Sequence, residues 1–235
     1  MVMKKTQDFQ KGLKDGLPIC FGYFSVAFAF GIFCLNSGLS ISEAVLISLT
    51  NVTSAGQLAG VPIICGGGSL IEMAATQLII NSRYALMSVS LSQKLGKDIR
   101  LFDRFWIGFV NTDEVFAVSI SQKEDLNRSY MAGLILTPYL GWSSGTLAGA
   151  VCGDILPQII TVALGIAIYG MFVAIVVPVV KEETATLLCV LISIAISCFL
   201  YFFSSINSGF AIIICALISS ALMSVLKPYE EGGTK

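Results

Sequence analysis

Apolar runs close to the length of a membrane crossing follow one another almost without pause along this chain, and no other feature restricts its fold so severely. They cover residues 17–35, 45–64, 69–92, 104–121, 130–152, 156–180, 184–203 and 208–226. A helix needs about 20 apolar residues to cross the hydrocarbon core. The connections are tight: Gly66-Gly67-Gly68 and Ser204-Ser205-Ile206-Asn207 leave no room for a folded soluble loop. Hydrophobic residues make up 55% of the chain and charged residues 12%, about half the ~25% charge of a soluble domain. The expected fold is an all-α, polytopic transmembrane helix bundle with about eight hydrophobic segments. Residues 1–16, with Lys4, Lys5, Lys11 and Lys14 against Asp8 and Asp15, read as a cytoplasmic N-terminal segment. Residues 17–226 read as a single transmembrane domain, and residues 227–235 as a cytoplasmic tail. The run at 17–35 shows no small-x-small cleavage site at its end, so it is expected to be a retained span. Pro18 is placed in its first turn, where a missing N–H costs little.

Composition also removes function classes. Histidine is absent, which excludes His-ligated zinc, Ser-His-Asp triads and histidine proton relays. Proton chemistry here has to use carboxylates. The net charge of −1 gives nucleic-acid binding no support. The seven cysteines include no CxxC and read as small buried hydrophobes. No metal and no cofactor are expected.

Two apolar runs are interrupted in the same way. Within 45–64 the chain reads Thr50-Asn51-Val52-Thr53 and then Ser54-Ala55-Gly56-Gln57-Leu58-Ala59-Gly60. Within 130–152, 89 positions later, it reads Ser143-Ser144-Gly145-Thr146-Leu147-Ala148-Gly149, after Pro138 and Gly141. Five of these seven positions are identical. Backbone opened by Gly or Pro at membrane depth is tolerated only where it is buried in protein or lines a wet cavity, and a matched pair of interruptions points to a transporter's central site. The competing explanation is that small residues let two helices pack closely. The offset suggests an internal repeat of three hydrophobic segments, residues 9–92 and 98–181, each with one glycine-broken segment, followed by the segments 184–203 and 208–226.

Positive charge places the ends, because Lys and Arg in short loops stay cytoplasmic. Eight full crossings would put Lys94, Lys97, Arg100 and Arg104 outside, against the rule. If each broken segment dips in and returns, that loop moves inside. Both termini are cytoplasmic in either arrangement.

Few charges remain at membrane depth: Glu72, Arg83, Asp113 and Glu114. Each costs about 2.5 to 3.5 kcal/mol if left facing lipid, so they are expected to face inward. At 100° per residue Glu72, Thr76 and Arg83 fall on one helix face, within about 40°. Two carboxylates beside one arginine leave a surplus acid to carry a proton, which makes Asp113, Glu114 and Glu72 proton-coupling candidates; a purely structural ion pair is the alternative. Half-helix starts and the side chains of Thr53, Ser54, Gln57, Ser143, Ser144 and Thr146 are the candidates for binding the carboxylate and ammonium of an amino acid, with Gly56 in the same broken stretch. Trp142 and Phe109 are placed to receive an apolar side chain.

The order of Gly12 to Gly31 with Pro18, Ser54-Ala55-Gly56-Gln57, Asn81-Ser82-Arg83-Tyr84, Thr112-Asp113-Glu114-Val115-Phe116-Ala117 and Gly141-Trp142-Ser143-Ser144-Gly145-Thr146 resembles the azaleucine-resistance protein (AzlC) family, large subunits of bacterial branched-chain amino acid exporters. Asn-x-Arg with Thr-Asp-Glu is the more specific part of the likeness, which brings Asn81 and Arg83 among the substrate-binding candidates. Many members carry His after that arginine; here it is Tyr84. The resemblance implies export of valine, leucine, isoleucine or related amino acids through the bacterial plasma (inner) membrane, alongside a small hydrophobic AzlD-type subunit. From the residues alone a passive channel for small neutral solutes, or an intramembrane enzyme, stays open, although no catalytic signature accompanies the carboxylates.

Overall fold

The computed structural model describes residues 2–157, 159, 173, 176–177, 180–181, 183–204 and 206–226. Apart from isolated positions, the expected segment 156–180 lies outside the described residues, as does the tail 227–235. The described residues are helical with no strand: α1 (Val2–Asn36), α2 (Ile41–Thr50), α3 (Ala55–Cys65), α4 (Leu70–Ser92), α5 (Leu101–Phe109), α6 (Asp113–Ser121), α7 (Arg128–Ile155), α8 (Thr184–Phe203) and α9 (Ser208–Leu226). Among the described residues, three helical stretches are long and apolar enough to cross a membrane: Lys5–Asn36, Thr184–Phe203 and Gly209–Leu226. The chain divides into two compact units, one of residues 1–58 and 81–168, the other of residues 59–80 and 169–235.

The first unit is built on the seam between α1 and α7. Gly133 lies against Phe9, Gly141 against Cys20, Gly145 against Phe24 and Gly149 against Phe28, so the two helices run parallel and, from Gly141 onward, touch at four-residue steps. The approach is at backbone level: a Cβ on Gly141 would stand 2.5 Å from the Cys20 carbonyl oxygen. This corrects the expected second break. α7 is continuous through Pro138, Gly141 and Gly145, and its glycines serve close helix packing rather than an opening of the backbone. α1 also begins at Val2, so Pro18 sits well inside a helix and not in its first turn.

The real second break lies elsewhere. The run 104–121, expected as one segment, is split at residues 110–112 into α5 and α6, nine residues each. Read against α7, α5 climbs and α6 descends. Asp103 pairs with Arg128 at 2.9 Å, and the Phe109 ring lies 6.2 Å from that of Tyr139. Glu114 meets Tyr23, whose ring packs on Trp142, and Ser119 then meets Met131. The ends of this hairpin are tied together. Gly96 N–H donates to Leu126 O at 2.8 Å, Leu126 N–H donates to Lys94 O at 3.0 Å, and the Lys94 ammonium donates to the carbonyls of Ile120 and Gln122. Each arm is about 13 Å long at 1.5 Å per residue, roughly half the thickness of a hydrocarbon core, so the segment is a short helical hairpin rather than one continuous helix.

The run 45–64 breaks where expected, at residues 51–54, between α2 and α3. A capping box starts α2: Ser40 Oγ accepts from the Glu43 N–H while Glu43 Oε2 accepts from the Ser40 N–H, satisfying two otherwise orphaned donors. At the break Ser54 has φ 52, a left-handed conformation that costs an L-residue about 1 to 2 kcal/mol. The chain then turns back, because the Gln57 amide reaches Ser48 at 3.1 Å. In an unbroken helix those residues would be about 13 Å apart along the axis.

In the second unit α8 and α9 pack together, with the Ser193 and Ser219 hydroxyls 2.8 Å apart. Buried Glu72 accepts from Gly209 N–H at 3.1 Å and from Asn207 Nδ2 at 3.2 Å. A carboxylate here completes the N-terminus of α9, where unpaired N–H groups and the helix dipole favour negative charge.

Candidate functional site

Both breaks reach the same level of α7, close to its midpoint. From the α2 side, Leu49 O accepts from the Tyr139 hydroxyl at 2.9 Å, and Ser48 is 2.7 Å from Thr146 Oγ1. From the other side, Phe109 packs on the same Tyr139 ring. Tyr139, Trp142, Ser143 and Thr146 fall within about 100° on a helical wheel, while Gly141 lies on the opposite face, against α1. One face of α7 thus carries a polar ladder, and the other lets α1 approach closely enough to add Tyr23.

Around the α6 break the charges are divided between two partners. Asp113 pairs with Arg83 on α4, both side chains about half exposed at 47% and 48%. Glu114 accepts from the Tyr23 hydroxyl on α1. This revises the expected cluster of one arginine with two acids, since Glu114 is served by a phenol instead of the cation. Asp113 and Glu114 are the first two residues of α6, where the helix dipole favours each by about 0.3 to 1 kcal/mol. The Arg83 guanidinium also lies over the Tyr84 ring, 5.0 Å from its centroid, so the tyrosine supports the arginine through a cation–π contact. Asn111, just before α6, donates through Nδ2 to Ser88 Oγ at 3.3 Å.

Around the α3 break the network is neutral. Gln57 Nε2 donates to Ser48, and Ser48 is bonded to Thr146, forming a chain from α3 through α2 to α7 with all three residues buried. Thr53 donates to Asn51 Oδ1 at 2.6 Å. Gly56 is buried in the first turn of α3, a turn without an acidic residue. Several buried polar atoms at this level have no hydrogen-bond partner among the described residues: Gln57 Oε1, Asn111 Oδ1, Thr112 Oγ1, Trp142 Nε1 and Ser143 Oγ. Buried polar groups are normally satisfied, and each orphan costs about 1 to 3 kcal/mol. Their gathering near the two helix breaks makes this level the candidate site for a polar ligand.

Of the residues singled out from the sequence, Gln57, Arg83, Asp113, Glu114 and Thr146 belong to the networks just described, Trp142 and Ser143 carry unpartnered polar atoms beside them, and Thr53 and Ser54 lie in the first break itself. Asn81 stands half-buried on α4, two residues before Arg83. Ser144 does not join them. It is exposed and its hydroxyl donates to Leu140 O at 2.6 Å in its own helix. Glu72 belongs to the second unit, on the start of α9. Sequence reasoning passed over Tyr23, Ser48, Asn111 and Tyr139. The signal available for one of them was the recurrence of asparagine at both breaks, in Thr50-Asn51-Val52-Thr53 and Val110-Asn111-Thr112-Asp113; the tyrosines carry no comparable mark.

Comparison with known proteins covers this same region. The model of the AzlC protein family matches residues 18–156, a stretch containing both breaks and the seam from Pro18 to the end of α7. A protein of Archaeoglobus fulgidus named "Uncharacterized membrane protein" is 33% identical over 181 residues, 76% of this chain and 79% of its own length. "Inner membrane protein YgaZ" of Escherichia coli is 31% identical over 173 residues, 71% of each chain. No solved structure matches the chain.

Proposed function

Because the chain belongs to the AzlC family of membrane proteins, we propose that it is the large subunit of a secondary transporter that exports branched-chain or related hydrophobic amino acids, coupled to protons. The observation that carries this reading is the meeting of two broken helices at the middle of α7, with buried polar atoms that lack partners. Such half-helix starts bind the charged ends of small substrates in transporters. Val52, Val110 and Val115 lie in one buried cluster with Tyr23 and Trp142, an apolar wall suited to an aliphatic side chain. Asp113 and Glu114 supply the proton-exchanging carboxylates, and Arg83 holds the first of them. A small hydrophobic AzlD-type subunit is the partner implied by the family. Leu86 and Val89 on α4, and Phe102 and Phe105 on α5, are exposed, apolar surfaces suited to a second membrane protein or to lipid. The termini are placed on the cytoplasmic side of the plasma membrane by the charge of their flanking residues.

The test is flux of labelled leucine in proteoliposomes holding the chain and its small partner. Accumulation against a gradient, abolished by an uncoupler, supports a coupled transporter; flux that only equilibrates identifies a channel. Undiminished proton-dependent flux in both Asp113→Asn and Glu114→Gln would remove the coupling role, and product formation in detergent would identify an enzyme.

A further inference from the structure

The two breaks differ in electrical character, and the difference is built into their sequences. Helix starts carry partial positive charge and unpaired N–H groups, and therefore attract anions. The start of α3 keeps that character, with no acid in its first turn. The start of α6 inverts it: Asp113 and Glu114 occupy its first turn, and of these two acids Asp113 is the one paired with Arg83. Glu114 instead accepts from the Tyr23 phenol. The orphaned polar atoms divide the same way. Near α6, Asn111 Oδ1 is an unpartnered acceptor in a residue 2% exposed, beside the Thr112 hydroxyl, which can accept as well as donate. On α7, at the level of the breaks, Trp142 Nε1 is an unpartnered donor in a residue also 2% exposed, followed by the Ser143 hydroxyl one turn before Thr146. Thr146 leads through Ser48 to Gln57 in the first turn of α3. Because the Ser48 hydroxyl donates as readily as it accepts, Gln57 satisfies it in either amide orientation. With Oε1 on Ser48, its NH2 becomes a further donor at the start of α3.

We propose that the two breaks read opposite ends of one zwitterionic substrate: Glu114 and Asn111 Oδ1 at the start of α6 take the ammonium, while Trp142 Nε1, Ser143 and the start of α3 take the carboxylate. The inference rests on the transporter reading above and assigns the polarity of that site. The ammonium and carboxylate of an α-amino acid sit on the same carbon, so the two subsites have to be neighbours. Tyr23 makes them so. Its hydroxyl is on Glu114, and its ring stands edge-on to Trp142 with centroids 5.3 Å apart. A carboxylate that holds the ammonium cannot hold a proton at the same time. Proton and substrate therefore exclude one another at Glu114, the relation an exchanger requires.

The experiment is equilibrium binding of labelled leucine to the full-length chain in lipid nanodiscs at pH 7, competed by 3-methylbutylamine, which lacks the carboxylate, and by 4-methylpentanoate, which lacks the ammonium. In Glu114→Gln and Asn111→Ser the inhibition constant of the amine rises at least about tenfold while that of the acid stays within about threefold. Trp142→Phe and Ser143→Ala give the reverse. Tenfold is the low end for losing one hydrogen bond to a charged group. Each end is probed by two variants, so one that fails to fold leaves the other to report. Leucine binding with both analogues weakened equally in every variant, or with the pattern inverted, overturns the polarity alone. A wild-type chain that binds none of leucine, isoleucine and valine overturns the transporter reading, and this assignment with it.

Discussion

Replacing Gly145 by alanine tests the seam that brings the two breaks together. The added Cβ would stand 2.5 Å from the Phe24 carbonyl oxygen, 2.9 Å from Phe24 Cα and 3.0 Å from Ala27 Cβ. Two of those atoms are backbone, so no side chain can swing aside, and α1 has to move away by several tenths of an ångström. Overpacking of this kind costs about 1 to 3 kcal/mol, against which the better helix propensity of alanine returns about 1 kcal/mol. Gly153→Ala is the matched control on the same helix. Its Cβ would meet nothing closer than 3.5 Å, so it keeps the propensity gain without the clash. The two variants should therefore differ by about 1 to 3 kcal/mol, or about 3 to 9 °C in midpoint at roughly 3 °C per kcal/mol. Thermal unfolding of the two purified proteins in one detergent, followed by tryptophan fluorescence, measures the difference. Because Tyr23 and Trp142 lie within a turn of the contact, Gly145→Ala should also weaken leucine binding, and Gly153→Ala should not. Equal midpoints for the two variants would refute the claim that backbone contact at Gly145 sets the spacing of α1 and α7.

Tyr23→Phe removes the hydroxyl from Glu114 but keeps the ring on Trp142; proton-dependent flux should fall about tenfold or more with a midpoint change of less than about 3 °C, and flux within twofold of wild type would remove Tyr23 from the site. Ser54→Gly relieves the left-handed strain at φ 52, worth about 1 to 2 kcal/mol, against about 0.5 to 1 kcal/mol of added unfolded-state freedom; the midpoint should hold or rise slightly, and a fall of several degrees would show that the Ser54 hydroxyl is itself needed. Asp103, at the outer end of α5, accepts from the Arg100 N–H, Trp106 Nε1 and Arg128, and the Arg100 N–H above all holds its carboxyl below the usual range. A lowered folded-state pKa means that its stabilisation is complete above the ordinary carboxylate pKa and is lost as pH falls through the lowered one. Asp103→Asn should flatten the acid side of a plot of midpoint against pH, and an unchanged acid limb would contradict this.

Much of the architecture could be read without coordinates, though not how the residues were used. The break at 51–54 was visible because a polar run cannot stay hidden in a helix at membrane depth. Charge also placed Arg83, Asp113 and Glu114 at one level, because unpaired charges there are expensive. The glycine pattern in 143–149, by contrast, had two explanations. An open backbone and a close helix contact demand the same small residues, and the choice fell to packing, since α1 lies against that face of α7. The break at 110–112 carries no glycine of its own, so it looked like a continuous span.

The sequence alone determined that this is an all-helical membrane protein without histidine chemistry, because burial of apolar surface and the cost of charge in hydrocarbon act on every residue wherever it ends up. Only the tertiary structure decided that the run 104–121 turns back on itself and that α1 and α7 lie parallel with a glycine seam. It also divided the acids, giving Asp113 to an arginine and Glu114 to a tyrosine. Those outcomes depend on which faces meet across more than 90 residues of chain, as in the Tyr23–Glu114 bond, and such pairings are set by the fit of surfaces rather than by any residue's own preference.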